Sequence, residues 1–367
     1  MWKNIKKNIV VSAINLTEAG PLTVLEECLQ SLSADFSDAY NIIALVHKKN
    51  VLRAKENITF YEFPAAKKSW ILRIYYEYFY FRRFSKKINP YLWLSLHDIT
   101  PNVYTQKLAV YCHNPSPFYK LSFSEAMLDP KFALFNSFYQ WLYRINLKKN
   151  NYVIVQQEWI RERFKKIFGI NNIIVAYPSI SVSVEMSGII PEKIGRKSFF
   201  YPAFSRVFKN FDVICEAASI LVNKGIDDFF VYLTIDGTEN SYARSLVRKF
   251  GHIKQLKFLG RLSREKVGEY YKKADCLIFP SKLETWGMPI TEFKKYSKPI
   301  MLSDLEYAHE TLGDYEKAKF FDPYDPKELS GLMNEFMENT LVFDKVKGKN
   351  VEPLFAANWR QLFNILF

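Results

Sequence analysis

Short, almost uninterrupted apolar runs alternate with helical stretches from one end of the chain to the other. In the first half the runs are Asn8–Ile14, Asn41–Val46, Thr59–Phe63, Tyr91–Leu96, Leu108–Tyr111, Tyr152–Val155 and Ile173–Tyr177. In the second they are Ser198–Tyr201, Phe229–Ile235, Leu256–Leu259, Cys276–Phe279, Pro299–Leu302 and Lys319–Phe321. Between most of them the apolar spacing becomes helical, as at Leu22, Leu25, Cys28, Leu29 and Leu32 after Gly20-Pro21. Strands without polar alternation are covered on both faces, and strands separated by helices pair in parallel. The pattern predicts an α/β chain built on doubly wound parallel sheets.

At 367 residues the chain is long enough for two cores. The rhythm breaks over residues 181–197, where Gly188, Pro191 and Gly195 interrupt any helical period, so a linker is expected there. The expected domains are residues 1–180 and 198–352. A last helix, residues 353–367, carries Trp359, Leu362, Phe363 and Leu366 as an apolar stripe and should pack back on the first domain. An apolar fraction of 49% with 24% charged residues excludes a disordered chain, and only 13 glycines argue against a propeller or β-helix. No apolar stretch approaches the roughly 18 residues of a membrane span. Cys28, Cys112, Cys215 and Cys276 are far apart in apolar contexts and read as reduced core thiols of a cytoplasmic protein.

The net charge of +13 is unevenly spread. Residues 1–180 hold 24 Lys and Arg against 13 Asp and Glu; residues 181–367 hold 27 against 25. The first half should therefore face an anion. Segment 66–87 concentrates the charge, with seven cations against Glu77 and eight aromatic rings from Trp70 to Phe84. It is either an interfacial helix on anionic lipid or a core helix with solvated cations.

The segment richest in chemistry is FPSKLETWGMPITEFKKYSKPIMLSD (279–304). A buried strand runs into a loop with Glu284 and Gly287, and a helix starts near Met288-Pro289-Ile290. Ligands of open α/β sheets bind beyond the carboxyl ends of strands, and a helix start attracts anions. Glu284 in the loop and Glu292, expected in the first turn, would suit a ligand with both hydroxyls and phosphates: a nucleotide sugar. The same two acids are also compatible with a solvated loop residue and a favourable helix-start acid.

Segment 279–304, with YYKKADCLIFPS (270–281) and FFYPAFSRVFKNFDVICEAASIL (199–221), resembles the family 4 (group 1) retaining glycosyltransferases. Those enzymes have the GT-B fold, two Rossmann-like domains facing across a cleft. The resemblance implies that the second domain binds a nucleotide-sugar donor and the first a saccharide acceptor. It places Glu284 by the donor sugar, Glu292 on the nucleotide ribose, and Arg206 and Lys209 on the donor diphosphate. Gly20 would lie near that diphosphate, and His113, in LAVYCHNPSPFY, near the sugar and acceptor. Gly237, the Gly260-Arg261 turn and the backbone at Leu262 would line the nucleotide crevice, with Gly287, Met288, Pro289 and Ile290 closing on the donor. His97-Asp98 is a second candidate pair in the first domain.

A retaining transfer builds charge on the departing diphosphate, which cations and helix-start amides can take up. No Asp-x-Asp or His/Cys cluster occurs, so the expectation is a reaction without metal and without a cofactor beyond the nucleotide sugar, UDP or GDP being unresolved. Together with the charge, the resemblance implies bacterial surface-polysaccharide assembly (O-antigen or capsule). The acceptor would be lipid-diphosphate-linked, and the protein cytoplasmic and peripheral on the inner membrane face. The alternatives are a non-catalytic sugar-binding or scaffold protein of this fold, and a GT-B nucleotide-sugar epimerase. Nucleic acid is not an expected partner, because no recognition motif is present and the acidic pair repels phosphodiesters.

Overall fold

A computed structural model describes residues 6–17, 19–52, 57–178, 195–348 and 350–367. It divides into two compact units. The first comprises Met1–Phe118, Asn136–Ser179 and Val351–Phe367; the second comprises Tyr119–Phe135 and Ile180–Asn350. Residues 119–135, read from the sequence as part of the first domain, group with the second unit. Most of the linker assigned to 181–197 lies outside the described residues; its last residue, Lys197, already starts a strand.

The first unit holds an eight-stranded sheet. Its strands are β1 (Lys7–Ala13), β2 (Tyr40–Val46), β3 (Ile58–Glu62), β4 (Pro90–Ser95), β5 (Lys107–Cys112), β6 (Tyr152–Val155) and β7 (Ile173–Ala176). The second unit contributes β8 (Lys197–Tyr201), β9 (Phe229–Leu233), β10 (Leu256–Phe258), β11 (Cys276–Phe279), β12 (Ile300–Ser303) and β13 (Ala318–Phe321), and β14 (Phe355–Ala356) returns to the first sheet. The strand orders are β14-β7-β6-β5-β4-β1-β2-β3 and β10-β9-β8-β11-β12-β13. Every recorded pairing is parallel. The topological switch points fall between β1 and β4 in the first sheet and between β8 and β11 in the second.

The two-residue period of a strand explains the layers of the first unit. Ile9, Val11, Ile42, Ala44, Leu92 and Leu94 point to one face, where helix Ala19–Asp35 and the final helix cover them. Val10, Ile43, Leu45 and Trp93 point to the other, beneath Phe63, Ala66 and Phe81. Trp359, Leu362, Phe363 and Leu366 are all buried, and Phe363 meets the ring of Phe36 at 5.7 Å. Residues 353–358, read from the sequence as the start of the last helix, are not helical. Phe355 and Ala356 form β14 beside β7, and the helix begins at Trp359, capped by Asn358 accepting from Gln361 N–H. Arg161 fixes this return, its guanidinium donating to the carbonyls of Glu352, Pro353 and Leu354 at 2.9–3.2 Å.

Segment 66–87 divides between its two readings. Phe81 is buried on the sheet, and Glu77 and Arg73 are buried with it. Ile71, Tyr75 and Phe79 are exposed, as are Arg82, Arg83, Lys86 and Lys87. The four cysteines are buried and free, and burial pushes each thiol above its ordinary pKa. Among the described residues no helix is long and apolar enough to cross a membrane.

Candidate active site

The crevice beyond β8 and β11 is where this fold class receives ligands, and both loops there carry charge. After β8 the chain makes a tight turn, Val207–Lys209, and Asn210 adopts a left-handed conformation (φ 59°) before helix Phe211–Asn223. The Asn210 amide donates to the carbonyls of Pro280 (3.1 Å) and Pro323 (2.7 Å). One side chain thus ties the β8 loop to the loops after β11 and β13. Lys282 N–H donates to the Phe208 carbonyl at 2.7 Å, closing β8 and β11 loops on each other.

Within this frame Lys209 Nζ donates to Glu284 Oε1, an ion pair with side chains only 17% and 13% exposed. The structure thus brings together two residues that lie 75 positions apart in sequence. Arg206 is not free beside them: its Nη1 donates to Asp129 Oδ2 at 3.0 Å. Lys282 pairs with Glu125 at 3.3 Å.

Gly287 (φ 80°) turns the chain into helix Met288–Lys294, and a Cβ there would meet Ile290 Cδ1 at 3.0 Å and Phe279 Cε1 at 3.3 Å. Glycine is required on both counts. The helix is seven residues long. Glu292 is its fifth residue, beyond the first turn to which sequence reading assigned it. Pro289 has no N–H, the Ile290 N–H donates to the Gly287 carbonyl at 2.9 Å, and the Ile290 side chain is buried. These positions therefore shape the turn.

Glu292 Oε2 accepts from the Tyr271 hydroxyl at 2.9 Å, with Arg264 3.9 Å from Oε1. Burial pushes its carboxyl above the usual range, against the lowering effects of Tyr271, Arg264 and Lys295. Tyr271 and Arg264 belong to helix Arg264–Lys273, which begins just beyond Leu262. Gly237 (φ 93°) and Gly260 (φ 69°) turn the chain after β9 and β10, and a Cβ on Gly260 would sit 2.6 Å from Asp236 Oδ2. The two turns therefore touch through Asp236.

Gly20 and His113 belong to the first unit. Gly20 is the second residue of helix Ala19–Asp35, with nothing within 4 Å of a Cβ. His113 follows β5; its N–H donates to Asp98 Oδ1 at 2.7 Å, and its Nε2 is 3.5 Å from Asp98 Oδ2. Asp98 also accepts from Asn114 N–H and Tyr143 Oη, each at 3.0 Å. His97 Nε2 meets Glu77 Oε1 at 2.6 Å, both fully buried, so His97 is held inside a packed core.

Sequence reading missed Asn210, Tyr271, Lys282 and the acids Glu125 and Asp129. The Lys-Asn pair before a helical run was a visible sign of a left-handed turn. Nothing in local spacing pairs positions 125 and 129 with cations more than 70 residues away.

Residues 190–349 match the family model for glycosyl transferases group 1. The chain is 24% identical over 245 residues to the O-antigen chain mannosyltransferase RfbU of Salmonella typhimurium. That match spans 65% of this chain and 63% of the mannosyltransferase, under two thirds of the latter's length. Among solved structures, the chain is similar to the lipopolysaccharide outer core galactosyltransferase WaaB (TM-score 0.63, 15% identity, 91% of each chain). It is also similar to WaaG, a glycosyltransferase involved in lipopolysaccharide biosynthesis (TM-score 0.61, 12% identity, 90% of each chain). HepE of Anabaena in complex with UDP-glucose is a further likeness (TM-score 0.60, 15% identity, 91% of this chain and 90% of that one). Identities this low speak to the fold, and both parallel sheets agree with it. Residues 190–349 thus match the glycosyl transferases group 1 model, and the two parallel-sheet units have the GT-B fold.

Proposed function

We propose that this protein is a retaining, family 4-type glycosyltransferase that moves a sugar from a nucleotide-sugar donor to a saccharide acceptor in bacterial surface-polysaccharide assembly. The observation that carries this reading is the Lys209–Glu284 pair at the switch point of the second sheet, with Glu292 on the helix that follows. Glu284 would hold hydroxyls of the donor sugar, and Glu292 the ribose of the nucleotide. As the bond from anomeric carbon to phosphate oxygen breaks, Lys209 and Arg206 would take up charge on the leaving diphosphate. That phosphate oxygen, on the face the acceptor approaches, would receive the acceptor's hydroxyl proton. His113, oriented by Asp98, would hydrogen-bond or orient the sugar or acceptor. The reaction needs no divalent ion if these cations suffice.

The likeness to RfbU, an O-antigen chain mannosyltransferase, and to WaaB, a lipopolysaccharide outer core galactosyltransferase, supports the choice of reaction class. The UDP-glucose held by HepE supports a nucleotide diphosphate donor. The first unit's surface supports a lipid-linked acceptor and a peripheral position on the cytoplasmic membrane face as part of this reading. Ile71 and Phe79 are 78% and 64% exposed, and Tyr75 stacks on Phe79. Trp70 meets Phe138, which meets the exposed Trp141. Exposed rings and aliphatics beside Arg82, Arg83, Lys86 and Lys87 suit headgroups of anionic lipid.

Thermal denaturation with UDP, GDP, ADP and CMP tests the donor reading, because a ligand that binds only the folded state raises Tm by mass action. A rise with one nucleoside diphosphate supports it, and no rise with any of them refutes it. Turnover of the nucleotide sugar without any acceptor would instead favour an epimerase.

A further inference from the structure

Three cations and three carboxylates meet around one residue, Phe208. Arg206 and Lys209 flank it, and Lys282 N–H bonds its carbonyl. Glu284 pairs with Lys209 and comes from the donor loop itself. The other two carboxylates, Glu125 on Lys282 and Asp129 on Arg206, come from residues 119–135, a strap that docks on the second unit from a distant stretch of sequence. Rings join the contact: Phe208 lies 5.0 Å from Phe132 and 6.2 Å from Tyr119.

Both carboxylates are held in position by the strap itself. Glu125 accepts from Tyr119 Oη at 2.6 Å and from Ser122 N–H at 2.9 Å, in a reciprocal helix cap. Asp129 Oδ1 accepts from Phe132 N–H at 3.1 Å, which leaves Oδ2 for Arg206. Burial works to raise the Glu125 pKa, yet Tyr119, Ser122 and the Lys282 charge outweigh it and keep the group below its ordinary value. The strap thus presents two fixed negative charges to two cations of the donor loops. The diphosphate between a nucleoside and a sugar carries one charge on each phosphate, the same total.

We propose that Glu125 and Asp129 stand in for the two donor phosphates on Lys282 and Arg206, and that a diphosphate displaces them and frees the 119–135 strap from the second unit. Lys282 thereby becomes a third cation for the diphosphate, beside Arg206 and Lys209. The inference rests on the donor reading above. Binding energy spent on breaking two ion pairs lowers the apparent donor affinity, and the exchange couples donor arrival to movement of the strap.

The test is calorimetric binding of inorganic pyrophosphate, UDP, GDP and ADP to the full chain. The double variant Glu125→Gln, Asp129→Asn keeps the helix cap and the Phe132 N–H contact while removing both charges. It should bind pyrophosphate and the preferred nucleotide about fivefold more tightly, from two partly exposed pairs. Lys282→Met should bind both more weakly. Trypsin cleavage of the parent at Lys120 and Lys131, both exposed, should speed up with the preferred nucleoside diphosphate and not with its nucleoside. Equal or weaker binding by the double variant, or strap cleavage indifferent to the diphosphate, overturns the proposal while leaving the donor reading intact. A parent that binds neither pyrophosphate nor any of UDP, GDP and ADP overturns both.

Discussion

Replacing Glu292 with Gln should separate stability from binding. The carboxylate is largely buried, its Oε2 bonded by Tyr271 and its Oε1 3.9 Å from the exposed Arg264. Burial raises its pKa in the folded state above the unfolded value. A group shifted this way keeps its proton longer in the folded chain, so folding stability falls as pH rises from about 4.5 through the raised pKa. Gln removes that cost and can still accept from the Tyr271 hydroxyl. At pH 7 the variant should therefore melt at or above the parent's temperature, with the advantage gone at pH 4. Binding should move the other way. A carboxylate makes charge-assisted hydrogen bonds to ribose hydroxyls, roughly twice as strong as an amide oxygen's. Losing that difference costs about 1–2 kcal/mol, or about five- to thirtyfold in Kd for the preferred nucleoside diphosphate. Calorimetric titration and thermal scans between pH 4 and pH 8 read both arms. Unchanged nucleotide affinity would refute the ribose assignment, and a lower Tm at pH 7 would refute the account of the buried charge.

Lys209→Ala should cut kcat by about a hundredfold or more by stripping charge from the departing diphosphate, while EDTA leaves the parent's rate unchanged; an EDTA-sensitive rate would contradict the metal-free reading. Neutralising Arg82, Arg83, Lys86 and Lys87 together should reduce co-sedimentation with vesicles containing phosphatidylglycerol, and no vesicle binding by the parent would refute the membrane face. Gly287→Ala should destabilise the second unit by about 1–3 kcal/mol, read by chemical denaturation, because the position has φ 80° and no room for a Cβ.

The fold was legible because its signals are local and repeated. Runs such as Cys276–Phe279 and Ile300–Ser303 are apolar on both faces, which only a covered parallel sheet explains. Glu284 and Glu292 were legible because a strand end, a glycine and a helix start lie within a dozen residues. What escaped was set by tertiary placement. The two-residue β14 is too short to carry a period of its own, and it exists because β7 and the Arg161 guanidinium hold it. Arg206 looked free because its partner Asp129 lies 77 residues earlier. Segment 66–87 resisted a single reading because it has two faces, Phe81 inward and Phe79 outward, and helical spacing alone does not say which covers a sheet.

The return of β14 and the last helix to the first sheet has a bearing on biosynthesis. Domains ordinarily complete in the order in which they leave the ribosome. Here the opening unit lacks its edge strand and a covering helix until residues 351–367 have been translated, whereas every residue of the other unit has by then been made. The half that starts first therefore finishes last. A fragment cut after residue 180 would leave β7 as an uncovered sheet edge and Leu25, Leu29 and Leu94 without part of their lid, a recipe for aggregation rather than an autonomous half.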